Sequence, residues 1–208
     1  MMLTLRHALM ALTAFVLAGC QPPAVIAEDP YKGLLPTGQT VTQAPTTFPI
    51  DAKGKSVAVV LSPSTEKQLE YLGKLVESIK NNPMLVYRSD YEEVTKPQLI
   101  ITSVVNKLKE RFGRVDTIED FRAVGPGKFD NVAVIDLSVV MPKPFNNFYA
   151  YTLKVDVLNP QLQRIGRLEG YGREGYYCIP IDCALAAQYR AMKQSVEQFN
   201  TAADANLR

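Results

Sequence analysis

Three glycines near the carboxyl-terminal end have the spacing of a dinucleotide-binding turn. They are Gly170, Gly172 and Gly175, in the run GYGREG. Such a turn follows the first strand of a βαβ unit and opens a helix, because the helix amino terminus binds the pyrophosphate. Here the run follows the last predicted strand, and Tyr176 to Pro180 do not begin a helix. We therefore interpret the run as a glycine-rich turn before the final helix, without a cofactor.

The cysteines offer a second kind of chemistry. Cys178 and Cys183 have C-x₄-C spacing, and in a compartment that oxidises thiols we expect them to form a disulfide. Closing so small a loop stabilises a fold by roughly 2 kcal/mol. Two free thiols are the alternative. We expect no metal, since zinc takes four ligands and the only histidine, His7, lies in the predicted leader.

Without a histidine in the domain, carboxylates, lysines or tyrosines would have to carry any acid–base chemistry. Glu92 and Glu93 are sequence neighbours, as are Glu119 and Asp120, and adjacent helical residues do not face each other. Asp136 lies in an apolar strand, on the face opposite its apolar neighbours, where we expect exposure to water. No nucleophile elbow motif is present. The sequence therefore does not predict an enzyme.

The amino-terminal residues predict a lipoprotein signal peptide. Arg6 precedes the apolar run Ala8–Gly19, which is shorter than the ~20 residues that span a bilayer but suits a signal peptide. The run ends in LAGC, which resembles the lipobox of bacterial lipoproteins. This resemblance implies removal of residues 1–19 and acylation of Cys20, with palmitate among the chains. An ordinary secretory signal with a chance cysteine is the alternative.

The residue after the cysteine bears on the destination of the chain. By resemblance to the enterobacterial sorting rule, an aspartate there retains a lipoprotein in the inner membrane, and Gln21 stands in that place. We therefore expect an outer-membrane lipid anchor facing the periplasm. Residues 20–54 hold many prolines and glycines and predict a disordered tether, which at ~3.1 Å per residue would reach roughly 100 Å.

Composition limits the remaining classes. The 208 residues suffice for one domain plus a tail, and 47% of them are hydrophobic. The formal net charge is only +2, with the two signs interspersed, so we expect no nucleic-acid partner. The domain is expected over residues 55–208.

Hydrophobic periodicity predicts an α+β fold for this domain. A buried strand at Ser56–Ser62 precedes a helix with Thr65 and Gln68 as a capping box, and a second helix begins at Thr95. The whole order is β, α, β, α, β, short α, β, β, β, α, with the second strand at 84–87 and the short helix at 118–124. Two long alternating strands and a third form an antiparallel meander in a mixed sheet, and we expect the helices on one face.

A resemblance to known domains supports this fold. The segments VAVVLSP, LKERFGRVDTIEDF, NVAVIDLSVV and YTLKVDVLNPQLQRIGRLEGYG, followed by an amphipathic helix, are similar to a domain of three groups. They are the curli-secretion-channel family, the penicillin-binding-protein-activator lipoproteins and the amino-terminal domain of the Tol-system β-propeller protein. The resemblance implies a non-enzymatic envelope role. The pore-forming members carry extra membrane hairpins that this short chain lacks.

Interaction is therefore the expected activity, with an envelope protein as the partner. Aromatic side chains near loops and turns are the candidate contacts, because aromatic anchors contribute much of the energy of interfaces. We expect a regulator or assembly accessory of an envelope complex. A transport accessory that binds lipid or substrate, and an oligomeric secretion component, are the alternatives, so a homo-oligomer stays open. The candidate contacts are Phe145, Phe148, Tyr171, Tyr176 and Tyr177.

Overall fold

A computed structural model of the chain describes residues 29–35, 38–44, 48–80, 96–119, 121, 127–142, 147–175 and 181–208. The helices in these residues are α1 (Pro63–Lys80), α2 (Gln98–Arg111) and α3 (Ile181–Asn206). The strands are β1 (Thr42–Gln43), β2 (Ser56–Leu61), β3 (Arg114–Thr117), β4 (Asn131–Val140), β5 (Phe148–Leu158) and β6 (Gln163–Gly175). The predicted strand at 84–87 and most of the predicted short helix at 118–124 lie outside the described residues.

The strands form one mixed sheet in the order β1-β6-β5-β4-β2-β3. β4, β5 and β6 are antiparallel, whereas β2 runs parallel to both β3 and β4, and β1 runs parallel to β6. The sheet and the three helices confirm the α+β prediction and its antiparallel meander.

All three helices contribute to one core on one face of the sheet. Alternate residues of the central strands are fully buried there, because successive strand side chains point to opposite faces. The helices supply the opposing apolar side chains. Core members are Val57, Val59, Ala133, Ile135, Leu137, Tyr151, Leu153 and Val155 of the strands with Leu72, Ile100, Val104, Leu108, Ala191 and Phe199 of the helices.

The opposite face has a smaller core at one end of the sheet. The described residues of 29–44, here called the N-terminal segment, pack there with Leu34 buried against a cluster that includes Phe121 and Phe129. Farther along, Ile50 donates its N–H to the Asn206 carbonyl at 2.7 Å. These contacts join the amino-terminal residues to the domain.

The expected tether is therefore shorter than its composition indicates. We assigned residues 20–54 to it, but the described residues from Asp29 onward lie on the sheet and against the end of α3. Prolines and glycines interrupt the hydrophobic period, yet isolated apolar residues such as Leu34 and Ile50 still bury their side chains. Residues 20–28 lie outside the described residues, where a tether stays a prediction.

The glycine-rich run is part of strand β6, which corrects our interpretation of it as a turn. Gly170 and Gly172 face α3. A Cβ atom on Gly170 would lie 1.9 Å from the Ser195 carbonyl oxygen, and one on Gly172 would lie 1.8 Å from that of Ala191. These glycines therefore let the backbones of α3 and β6 approach closely, as strand glycines often do.

The start of α1 also differs from the expected capping box. Ser62 precedes the helix, and its Oγ accepts a hydrogen bond from the N–H of Thr65 at 3.1 Å. The Thr65 hydroxyl instead donates to the Ile135 carbonyl at 3.0 Å and accepts from the N–H of Leu137 at 2.7 Å. Thr65 thus attaches α1 to β4 and Ser62 is the cap. None of the described helices is both long and apolar enough to cross a membrane.

Candidate functional site

One half of the sheet face that none of the described helices covers forms the candidate binding surface, which we call the open face. It consists of the side chains that β4, β5 and β6 point away from the helices. These side chains form rows across the three strands, since Ser138 pairs with Thr152 and Thr152 pairs with Tyr171. Its members are Ser138, Val140, Phe148, Thr152, Lys154, Tyr171 and Arg173.

The open face exposes apolar and aromatic groups to water. Tyr171 is 45% exposed and Val140 is 39% exposed. The Arg173 guanidinium lies 3.7 Å from the centroid of the half-buried Phe148 ring, a cation–π contact that holds both side chains in place. A preorganised aromatic and arginine group is a common feature of protein interfaces.

Two of the five predicted aromatic contacts are therefore brought to one surface. Phe148 and Tyr171 lie on neighbouring strands of the open face. Phe145, Tyr176 and Tyr177 lie outside the described residues.

The predicted cysteine sites are not tested by the structure. Cys20 and Cys178 lie outside the described residues. Cys183 is in the first turn of α3, but its side chain is not described. Lipidation and the disulfide therefore stay predictions.

A buried ion pair borders the open face, and sequence reasoning missed it. Asp156 is only 4% exposed, although it lies on the sheet face opposite the helices, where an alternating strand normally exposes its polar residues to water. Arg167 binds it with two hydrogen bonds, from Nε to Oδ1 at 2.6 Å and from Nη2 to Oδ2 at 2.9 Å. The Tyr31 hydroxyl donates to the same carboxylate, and Arg164 Nη1 lies 3.7 Å from Oδ2. The N-terminal segment is thereby fastened to the sheet.

Alkaline unfolding should report on this contact. Burial, and then the hydrogen bond to Asp156, raise the pKa of Tyr31 well above its ordinary value, and burial raises the pKa of Tyr151 to about 12. The unfolded tyrosines ionise near pH 10, so this stability is present below pH 10 and is lost as the pH rises toward the folded pKa. Each tyrosine should contribute a slope of about 1.4 kcal/mol per pH unit.

Urea titrations at a series of pH values from 9 to 11 would measure this slope. Tyr31→Phe should remove the contribution of one tyrosine, about 1.4 kcal/mol per pH unit, from this slope. Tyr151→Phe should remove a similar contribution independently. An unchanged slope in Tyr31→Phe would show that the folded protein does not raise the pKa of this hydroxyl.

The other carboxylate that stood out in the sequence, Asp136, is also bonded rather than simply exposed to water. Its Oδ1 accepts hydrogen bonds from Ser62 Oγ at 2.7 Å and Ser64 Oγ at 2.5 Å. The cluster lies where β2 ends and α1 begins, and it attaches the helix to β4. The only histidine of the chain is His7, so the serines have no histidine base in the domain. In the described part of the chain, no group of three or more His, Cys, Asp or Glu could hold a metal ion.

A groove runs between β6 and α3, along the outer edge of the strand. Its wall includes Glu169, Gln194, Glu197, Gln198 and Thr201, with Ala202 and Ala205 beside them. Gln198 Oε1 accepts from the N–H of Tyr171, and Gln194 Oε1 accepts from that of Arg173, both at 3.1 Å.

Comparison with known proteins does not assign a family. No protein-family model and no curated protein matches the chain. A dodecameric PelC variant from Paraburkholderia phytofirmans is 9% identical, with a TM-score of 0.38, over 74% of this chain and 95% of that one. A candidate lipoprotein from Caulobacter crescentus CB15 is 14% identical, with a TM-score of 0.29, over 50% of this chain and 74% of that one. Similarity at this level settles neither fold family nor function.

The structure itself defines the class of the molecule. It is an α+β domain whose helices cover one sheet face and whose other face is partly open, with exposed aromatic and apolar groups.

Proposed function

We propose that this chain is a non-enzymatic lipoprotein of the bacterial envelope, anchored to the outer membrane through Cys20 and facing the periplasm. It regulates or helps to assemble an envelope complex, and the open face binds the protein partner. The LAGC run after an apolar segment supports the anchor.

The observation that carries the binding role is the exposure of Tyr171 and Val140 beside the Phe148–Arg173 pair. Exposed aromatic and apolar side chains beside an aromatic–arginine pair are residue types that protein interfaces favour. A partner that covers the face would bury an aromatic and an arginine, two of the residue types most often responsible for binding energy.

The packing of the core supports this proposal over a transport accessory. A lipid carrier needs an apolar cavity of several hundred Å³. Here the central side chains between sheet and helices, including Tyr151, Phe199 and Leu153, are at most 1% exposed. The groove beside β6 is open to solvent and is lined mainly by Glu, Gln and Thr residues.

The docked N-terminal segment limits where the partner can be. If Cys20 is in the membrane and Asp29 is on the domain, only residues 20–28 connect them. At ~3.3–3.6 Å per residue this linker spans about 30 Å at most, so the partner should present its surface close to the membrane.

A capture experiment tests the proposal. In-cell crosslinking, detergent extraction and mass spectrometry should recover an envelope protein with the wild-type chain. Val140→Asp/Phe148→Ala should reduce that recovery roughly tenfold or more, since loss of interface anchors typically costs over 1.4 kcal/mol. Tyr71→Ala, at a 51% exposed tyrosine on α1, is the matched control and should not reduce it.

Anchoring is tested in the same cells. Cys20→Ser should abolish the incorporation of labelled palmitate into the chain. Palmitate incorporation by this variant would refute the lipid anchor at Cys20, whereas equal recovery of the partner by Val140→Asp/Phe148→Ala would refute the role of the open face.

A further inference from the structure

Strand β6 is paired along nearly its whole length on its inner side, with β5, but only briefly on its outer edge. β1 pairs with it only at Gln163 and Arg164, and Phe48 and Ile50 lie against Gly166. Beyond that point, from residue 167 to residue 175, none of the described strands pairs with this edge. Tyr171 is the midpoint of that stretch.

Side chains occupy the positions that a neighbouring strand would take. The N–H groups of Tyr171 and Arg173 point away from β5 and donate to the amide oxygens of Gln198 and Gln194. The groove leaves space beside the edge, with the small residues Ala202 and Ala205 in its wall. A carbonyl oxygen from another strand can replace each amide oxygen, since both are neutral acceptors. Unpaired strand edges readily accept such strands.

We propose that the occupant is a second copy of this chain, whose β6 pairs antiparallel with this β6 about a two-fold axis at Tyr171. In this register Tyr171 pairs with its own copy. Glu169 lies opposite Arg173 of the second copy, and Arg173 lies opposite its Glu169. The surface is thus self-complementary, as a two-fold interface requires.

Charge selects this register over its neighbours. Moving the pairing by two residues in one direction puts Arg167 opposite Arg173, and moving it in the other direction removes both charge pairs. A parallel, in-register arrangement puts Glu169 opposite Glu169. Opposite charges across a strand pair stabilise it and like charges destabilise it, so the antiparallel register about Tyr171 is preferred.

The outward backbone groups fit the same register. Tyr171 and Arg173 present outward N–H groups, and Glu169 shares their parity along the strand. Each copy would exchange hydrogen bonds at Tyr171 and between residues 169 and 173. The odd-numbered side chains stay on the open face, so the two open faces become one continuous surface. This inference depends neither on lipidation nor on the partner proposed above.

Site-specific disulfide formation tests the axis. Directly opposed residues in a hydrogen-bonded antiparallel pair have Cα atoms about 5.5 Å apart, within disulfide range. Tyr171→Cys should form a dimer of twice the mass under mild oxidation of the full chain. Tyr71→Cys, at the 51% exposed site on α1, should not, and the wild-type chain controls for its own cysteines.

A charge exchange tests the register. Glu169→Arg alone and Arg173→Glu alone each turn two opposite-charge pairs into like-charge pairs, which should raise the dimer dissociation constant about tenfold or more. Glu169→Arg/Arg173→Glu restores both pairs and should restore dimerisation. Light scattering of the Cys20→Ser chain over a range of concentrations measures this. The proposal is overturned if the wild-type chain stays monomeric in light scattering and the Tyr171→Cys variant forms no disulfide-linked dimer. It is also overturned if the wild-type chain forms a dimer that neither single charge substitution weakens.

Discussion

Gly172→Val is expected to lower the free energy of unfolding by roughly 3 kcal/mol or more. A Cβ atom at this position would lie 1.8 Å from the Ala191 carbonyl oxygen and 2.7 Å from the Ser195 nitrogen. These are backbone atoms of α3, so no change of side-chain rotamer can remove the overlap. The helix must move away from β6, which separates side chains that now bury each other, including Phe199.

The matched control for this substitution is another glycine of the same domain. Gly73 lies inside α1, and a Cβ atom there would meet nothing within 4 Å. Gly73→Ala should therefore stabilise the protein by about 0.5–1 kcal/mol through helix propensity alone. Urea denaturation followed by circular dichroism measures both variants. Equal stability of Gly172→Val and wild type would mean that α3 does not pack on β6 at this distance.

The elements of the core could be predicted because their side-chain periods are clear. The two long strands of the meander, β4 and β5, alternate with period two, and each buries the face that its apolar residues indicate. In the helices the buried apolar residues recur with the helical period of about 3.6 residues. These signals are local, so a single sequence carries them.

The contacts that cross between distant parts of the chain could not be predicted. Gly170 and Gly172 form a motif whose spacing also suits a turn, and only the position of α3 shows their role. Tyr31 and Asp156 are 125 residues apart, and composition assigned Tyr31 to a tether. A strand carboxylate on the non-core face is expected to be exposed unless a segment from elsewhere covers it. The same limit applies to the open face, where Phe148 and Tyr171 meet through strand register.

Asp156→Ala is the second substitution from which we expect a large effect, a loss of roughly 2–4 kcal/mol. Removing one member of a buried ion pair costs about 3–5 kcal/mol because the other charge stays behind unpaired. Arg167 is 32% exposed, so water can solvate part of its guanidinium and the loss should fall toward the lower end. The Tyr31 hydroxyl also loses its acceptor, which loosens the N-terminal segment. Faster proteolysis at Lys32 should accompany the loss of stability.

A second aspartate–arginine pair of the same chain provides the control. Asp116 pairs with Arg114 at the surface, where the two side chains are 38% and 59% exposed. Asp116→Ala should cost less than about 1 kcal/mol, because water solvates both charges when the pair is broken. Asp156→Leu/Arg167→Met should be more stable than Asp156→Ala, since it leaves no unpaired charge. If the double variant were instead less stable than the single one, the loss would come from packing around residue 156, and the ion pair would not be what holds the N-terminal segment to the sheet.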